Sequence, residues 1–369
     1  MRYVVIHPWR VAAVVLVGIV LGTGAFYVYA LNHAFGAIAI EEFDPDAARN
    51  AIEVEPAPVV TGTTVYDFEI VAPDFDVNAD PLDLINSQIE SIPDPRNFSP
   101  HSFGEPIPDD LFVSYLLIGT DESGFLADSI ILALQPSDRG APIMVSLPRD
   151  LYVWNLCKGT FTRLNTGLGG CKGVASGSEL MAIMVEDYTG IPVDHLARIN
   201  FGGFARLVDT MGGITVCVDY PTRDAKAHLD IPTSGCQRVD GATALGWVRS
   251  RHTEQLKGEG EWIQVAGSDF ARQNRQQDVL FQLAARAARF SSPVTLASRL
   301  SAVSSSVRLD SSWSFGQAVS AAWRYRGISK SSVNRFTIEI INIKTPLGAA
   351  VLLPAKPFME HLEAVHPQS

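Results

Sequence analysis

The sequence predicts an α/β domain with a mixed central sheet flanked by helices, preceded by one transmembrane helix and an acidic, proline-rich tether. Three observations predict it. From residue 111 onward, apolar runs of strand length alternate with helix-length amphipathic runs, the pattern of helices layered on a sheet. Residues 11–40 contain no Asp, Glu, Lys or Arg. Residues 41–110 hold 17 acidic and 2 basic residues, and with them 10 of the chain's 22 prolines.

The N-terminal elements follow from charge. Arg2 and Arg10 precede an apolar stretch, Val11 to Leu31, about the ~20 residues that cross a bilayer as a helix. Basic residues before it and acidic ones after it place residues 1–10 in the cytoplasm and everything beyond residue 40 outside. The competing reading is a cleavable signal peptide, for which Thr23-Gly24-Ala25 and Phe35-Gly36-Ala37 are weak cleavage candidates. Residues 41–108 read as an extracytoplasmic tether. Pro56, Pro58, Pro93, Pro95, Pro106 and Pro108, with a net charge of one sign, keep such a chain extended. Within it, Thr61 to Val71 has the residues of a strand.

The chain is 47% hydrophobic and 19% charged, which excludes a disordered protein. Residues 111–369 hold 25 basic and 23 acidic residues. They have room for an arginine cluster around an anion but lack the excess of a nucleic-acid-binding protein. Cys157, Cys171, Cys217 and Cys236, an even number outside the membrane, suggest two disulfides. Three connectivities are open. The local one, Cys157–Cys171 with Cys217–Cys236, is preferred because each pair brackets a glycine-containing, loop-rich stretch. No C-x-x-C or Cys/His cluster supports zinc.

Strands are expected over Leu111–Ile118, Ser129–Leu134, Ile143–Leu147, His195–Asn200 and Ile214–Val218. Helices are expected over Leu180–Tyr188, stopping at Gly190, and around the face Phe204, Leu207, Val208 and Met211, stopping at Gly212-Gly213. Two more follow at Asp240–Trp247 and Asp269–Phe290. In the last, Asp269, Arg272 and Gln276 share one side with Leu280, Leu283 and Ala287, so a core-facing stripe begins with polar groups. Buried charge is costly unless paired or engaged by a ligand. A structural Asp269–Arg272 pair explains the pattern as well as a ligand does.

Phosphate chemistry suits these residues best. Arg149, Arg163, Arg249, Arg251, Arg272 and Arg275 lie near the ends of expected elements. Guanidinium forks match phosphate oxygens and stay charged. Asp121 and Asp128 follow and precede neighbouring strands and offer the oxygen ligands that suit Mg²⁺ or Mn²⁺. Arg249 and Arg251 are two residues apart. To face one anion together they need an extended backbone, so the helix from Asp240 is expected to end by about Trp247 or Val248. No Walker loop, G-x-S-x-G or HExxH is present.

These residues, in order, resemble the LytR-CpsA-Psr family. The resemblance is carried by Gly119-Thr120-Asp121, Ala127-Asp128-Ser129, Ser146-Leu147-Pro148-Arg149-Asp150 and Arg163-Leu164-Asn165. It continues through Asn200-Phe201, Leu207-Val208-Asp209 with Gly212-Gly213, Ala244 to Arg251, and Asp269-Phe270-Ala271-Arg272 with Arg275-Gln276-Gln277. The resemblance implies a catalytic domain over residues 109–365. It also implies an enzyme that moves a glycopolymer from a polyprenyl-pyrophosphate carrier to a peptidoglycan hydroxyl at the plasma membrane, releasing polyprenyl phosphate. By the same resemblance the pyrophosphate is bound by Arg149, Arg249, Arg251 and Arg272 with Gln276 beside them, the metal by Asp121 and Asp128, and Asp269 is a further functional acid. Arg163 stands where the family usually has a lysine. A hydrolase of the lipid pyrophosphate and a non-catalytic polyprenyl-phosphate-binding module are the alternatives.

Overall fold

A computed structural model describes residues 35–52, 69–70, 110–138, 140–258, 260–265, 269–287, 307–313, 330–345 and 349–366, with a few single residues besides. The span expected over Val11–Leu31 lies outside them except for Tyr29. Among the described residues no helix is long and apolar enough to cross a membrane.

The frame is a seven-stranded mixed sheet, in the order β1 (Ala39–Glu41), β15 (Val307–Asp310), β8 (His195–Asn200), β3 (Phe112–Thr120), β4 (Ala127–Pro136), β5 (Ile143–Leu147), β16 (Asn334–Thr337). The pairs β1·β15, β8·β3 and β5·β16 are parallel, and the other three are antiparallel. Strand alternation sets the two faces. In β3, Phe112, Ser114, Leu116, Ile118 and Thr120 are buried, while the residues between them are half-buried. The first face packs on α2 (Gly177–Thr189), whose Leu180 to Val185 and Tyr188 are all but inaccessible. A capping box between Ser176 and Glu179 starts that helix, and Gly190, at φ 72°, ends it; glycine reaches this left-handed conformation without the strain a side chain adds.

The second face is covered by α3 (Phe201–Thr210), α4 (Gly241–Arg249) and α5 (Asp269–Ala287), which share a separate apolar core with β9 (Ile214–Val218). Asn200 caps α3 through Gly203 N–H and Asp240 caps α4 through Thr243 N–H. Helices α3 and α4 approach so closely that a Cβ on Gly241 would lie 2.1 Å from the Ala205 carbonyl oxygen. Only glycine permits this contact.

Part of the expected tether belongs to the domain. β1 extends the sheet, and α1 (Pro45–Ala51) lays Ala48 and Ile52 into the main core. Arg49 anchors α1 to α2 through Asp187 at 2.6 Å and Glu186 at 3.2 Å. This face is one or two apolar residues wide, too little to stand out from the surrounding acidic composition. Glu69–Ile70 (β2) adds to β17 (Ile340–Lys344), inside the run read as a strand. The remaining tether residues, 53–68 and 71–107, lie outside the described residues.

Smaller units complete the fold. They are the hairpin β6 (Tyr152–Asn155) and β7 (Thr160–Arg163), and the four strands β10 (Thr222–Asp224), β11 (Leu229–Ile231), β13 (Glu254–Lys257) and β14 (Glu261–Gln264). They also include β12 (Gly235–Val239) on β9, β18 (Ala350–Pro354) on β17, and α6 (Phe358–Val365). Both disulfides are local, Cys157–Cys171 and Cys217–Cys236. They close loops with sequence separations of 14 and 19, so removing either by Cys→Ser substitution is expected to cost about 2–4 kcal/mol. Thermal melts of the Cys157→Ser and Cys217→Ser variants check this; unchanged melting would exclude a structural role.

Candidate functional site

The second face of the sheet is not fully filled. Leu117, Ile131, Ala197 and Ile199 project between the strands and the covering helices, where Phe204, Leu207, Leu245 and Leu280 meet them around an apolar cavity of about 240 Å³. Asp128, Val248, Arg249 and Gln276 line both this cavity and a neighbouring polar one of about 220 Å³. The polar pocket is also lined by Arg149, Arg251, Arg272, Lys226, His252 and Asp224. An apolar chamber therefore lies beside a cationic mouth.

The arginines of the mouth come from three elements. Arg149 follows β5 and pairs with Asp128, the second residue of β4, and with Asp150 at 3.4 Å. Arg272 is 5% exposed and comes from the first turns of α5. Arg249 is the last residue of α4, its guanidinium carbon 4.2 Å from the Phe201 ring centre. The helix thus runs past Val248, which is buried, and ends one residue later than expected. Ser250 then leaves at φ −58°, ψ 129°, so Arg249 and Arg251 reach one pocket as the extended-exit argument requires.

Sequence reasoning missed the group that holds this exit. Asp224, at the end of β10, is 1% exposed. Its Oδ2 accepts from the Ser250 hydroxyl (2.8 Å), Arg251 N–H (3.0 Å) and His252 N–H (2.8 Å). Its Oδ1 accepts from Lys226 N–H and Ala227 N–H. Burial opposes ionisation, but the hydrogen bonds from His252, Ser250, Ala227 and Arg251 outweigh it and hold the carboxyl below its ordinary value. From the other side Arg275 donates to the Ser250 carbonyl and lies over Trp247, and Gln276 donates to the Val248 carbonyl at 3.2 Å. Gln276 also accepts from Ser129 at 3.0 Å. Its amide ties β4, α4 and α5 together at the pocket edge. The only signal for Asp224 was a carboxylate between two short strands, which sequence alone does not distinguish from a surface acid.

Asp224→Asn is expected to cost about 1–3 kcal/mol at neutral pH, the penalty of a lost buried acceptor. A carboxyl depressed by folding stabilises above its unfolded pKa of about 3.9 and loses that contribution as pH falls through its folded value. The gap in melting temperature between wild type and Asp224→Asn should therefore close below about pH 4. A gap of equal size at pH 7 and pH 3 would contradict this.

Not every expected site residue joins the cluster. Arg163 does not line the pocket; it donates through Nε and Nη2 to the Ala350 carbonyl at 3.1 and 2.7 Å, and its Nε lies 3.6 Å from Asp150, the carboxylate that Arg149 also pairs with. It clamps β18 to the β6–β7 hairpin, an attachment formed late in the chain that local sequence does not reveal. Asp121 lies beyond the pocket lining. Its Oδ1 accepts from the Ser123 hydroxyl (2.6 Å) and Gly124 N–H (2.9 Å) in the turn after β3. Asp269 is the first residue of α5, and its side chain lies outside the described residues. The carboxylates that could hold a hard cation are Asp128, at the arginine mouth and paired with Arg149, and Asp121, whose Oδ2 has no hydrogen bond among the described residues. A Mg²⁺ or Mn²⁺ with one or two protein carboxylates takes its remaining oxygens from phosphate and water.

The sheet thus has one face packed on α2 and one face hollowed into an apolar chamber beside a cluster of arginines. The LytR_cpsA_psr family profile matches residues 101–363, and the chain belongs to that family. Over 157 residues it is 36% identical to the probable cell wall biosynthesis protein LcpB of Corynebacterium glutamicum, covering 38% of this chain and 36% of that one. Over 199 residues it is 29% identical to the polyisoprenyl-teichoic acid–peptidoglycan teichoic acid transferase TagU of Bacillus cereus, covering 53% of this chain and 59% of that one. The chain thus spans between about a third and three fifths of these relatives. The LytR-Csp2A-Psr enzyme structure from Actinomyces oris superposes with a TM-score of 0.53 at 26% identity, over 69% of this chain and 90% of that one.

Proposed function

We propose that the chain transfers a glycopolymer from a polyprenyl-pyrophosphate carrier to a sugar hydroxyl of peptidoglycan, forming a phosphodiester and releasing polyprenyl phosphate. One observation carries the reading: the apolar chamber and the arginine mouth adjoin, sharing Asp128, Val248, Arg249 and Gln276 in their linings. An isoprenoid tail suits the first and a pyrophosphate the second. The TagU relative is named for the same class of transfer.

In this reading Arg149, Arg249, Arg251 and Arg272 neutralise the pyrophosphate and hold it for in-line attack, so catalysis is mainly positioning and charge stabilisation. The acceptor oxygen bonds to the glycan-bearing phosphorus. The bond from that phosphorus to the bridging oxygen breaks, and polyprenyl phosphate leaves with the electron pair. The hydroxyl proton passes to a carboxylate, Asp269 or Asp150. A divalent cation held by Asp128 and Asp121 would add charge neutralisation at the pyrophosphate. Asp128→Ala should then lose more turnover than lipid binding, because the arginines still hold the phosphates.

We place the domain outside the plasma membrane, anchored through Val11–Leu31. The two disulfides support this, since such bonds persist in oxidising compartments. The test of the lipid site is mass spectrometry of the full chain purified from membranes in mild detergent. A copurified polyprenyl phosphate or pyrophosphate is expected, and its absence after resupply of the lipid would contradict the reading.

A further inference from the structure

A third cavity lies beside those two. It is an open polar cleft of about 540 Å³ on the other side of the β3 and β8 strand ends. One wall is the turn Glu122–Phe125, and the other is the glycine-rich segment Gly169–Gly177 fastened by Cys157–Cys171. Lys172, Arg198 and Arg308 line it against a single lining carboxylate, Glu122. Arg198 is partly engaged by Glu41 at 3.8 Å and Ser178 at 3.2 Å. Lys172 and Arg308 have no carboxylate partner among the described residues. At the rim Phe125 is 68% exposed, an aromatic face in water.

We propose that this cleft binds the acceptor, a peptidoglycan glycan strand whose peptide stems carry carboxylates. The inference rests on the transfer reading above and names the seat of its second substrate. Polar walls suit a polyhydroxylated chain, and Phe125 offers a flat surface for the C–H face of a sugar ring. Lys172 and Arg308 meet the acidic stems. The placement is right for the chemistry. Thr120 lines the cleft and pairs with Ala127, and the next residue, Asp128, lines the arginine mouth. Paired strands lie about 5 Å apart and successive Cα atoms about 3.8 Å, so the cleft edge and the phosphate site are within ~10 Å. A strand held in the cleft can present a hydroxyl there. Arg198 and Asn200 also line both the cleft and the apolar chamber.

Gly169 supplies a clean test. It is exposed, its φ is not positive, and a Cβ built on it meets nothing within 4 Å. A large side chain therefore enters the cleft without backbone strain. The experiment measures binding of soluble, uncrosslinked peptidoglycan strands to the full chain by titration calorimetry, for wild type, Gly169→Trp and Lys172→Glu/Arg308→Glu. Farnesyl pyrophosphate binding is measured beside it. Both variants are expected to weaken strand binding about tenfold or more, with added screening of the charge variant by salt. Farnesyl pyrophosphate affinity should stay within about twofold, since the mouth is untouched. Strand affinity unchanged in both variants overturns the cleft assignment, as does a loss confined to farnesyl pyrophosphate. Because binding needs no turnover, these outcomes are separate from failure of the transfer reading, which shows as strand binding without transfer in wild type.

Discussion

Arg149→Ala is expected to lower transfer by about 10²–10³-fold, the usual cost of removing one preorganised group that stabilises developing charge. The fold should survive. The Arg149 and Asp128 side chains are 29% and 24% exposed, and pairs open to water contribute about 0–1 kcal/mol to stability. The loss has two sources. One guanidinium is gone, and Asp128 is left facing the pyrophosphate without its counter-charge. Arg149→Lys should recover part of the rate, because charge returns without the two-pronged fork. Arg272→Ala should differ. At 5% exposure its removal also opens a cavity, so melting temperature falls along with rate. Steady-state transfer and thermal melts of the three variants check this. Full activity in Arg149→Ala would remove the arginine mouth from the mechanism.

Ala197→Phe is expected to weaken lipid capture strongly while leaving the arginine mouth intact. Ala197 sits on β8 beside Leu117, facing the chamber. A benzyl group there takes the space of about three isoprenoid carbons, and at ~0.8 kcal/mol per buried CH₂ the loss is about 2–3 kcal/mol, roughly 30–150-fold in affinity. The chamber is already a void, so the new ring need not displace packed core. Polyprenyl phosphate binding should fall by that factor while binding of inorganic pyrophosphate is unchanged. Equal polyprenyl phosphate binding in wild type and Ala197→Phe would show that the tail lies elsewhere.

The legible parts of the fold were those with long runs of one period. Strands at Ile143–Leu147, His195–Asn200 and Ile214–Val218 match the expectation residue for residue. β3 and β4 extend beyond it because Gly119 and Thr120 pair with Ser129 and Ala127, a partnership no local pattern displays. The strands of three to five residues at 222–264 and 334–354 gain their order from each other and from the disulfide-closed segment, so periodicity was silent. The arginines of the mouth were readable because each lies near the end or the start of an expected element. What holds them was not. Asp224 acts through five hydrogen bonds to residues 226–252, and such a role depends on the fold bringing two distant turns together. Arg163 lies off the pocket lining, bonded to the Ala350 carbonyl and 3.6 Å from Asp150, and neither attachment shows in local sequence. The chamber itself is a packing defect between sheet and helices, and its apolar walls look like ordinary core when read along the chain.

The most direct test is a transfer assay with the full chain, a polyprenyl-pyrophosphate-linked glycopolymer radiolabelled in its glycan, and uncrosslinked peptidoglycan strands. The account predicts label joined to the strands through an acid-labile phosphodiester, with polyprenyl phosphate released in equal amount and both products lost in Arg149→Ala. Release of glycopolymer phosphate into solution with the strands unlabelled would contradict it and mark a hydrolase. Retention of the lipid with no release of either product would mark a carrier-binding protein.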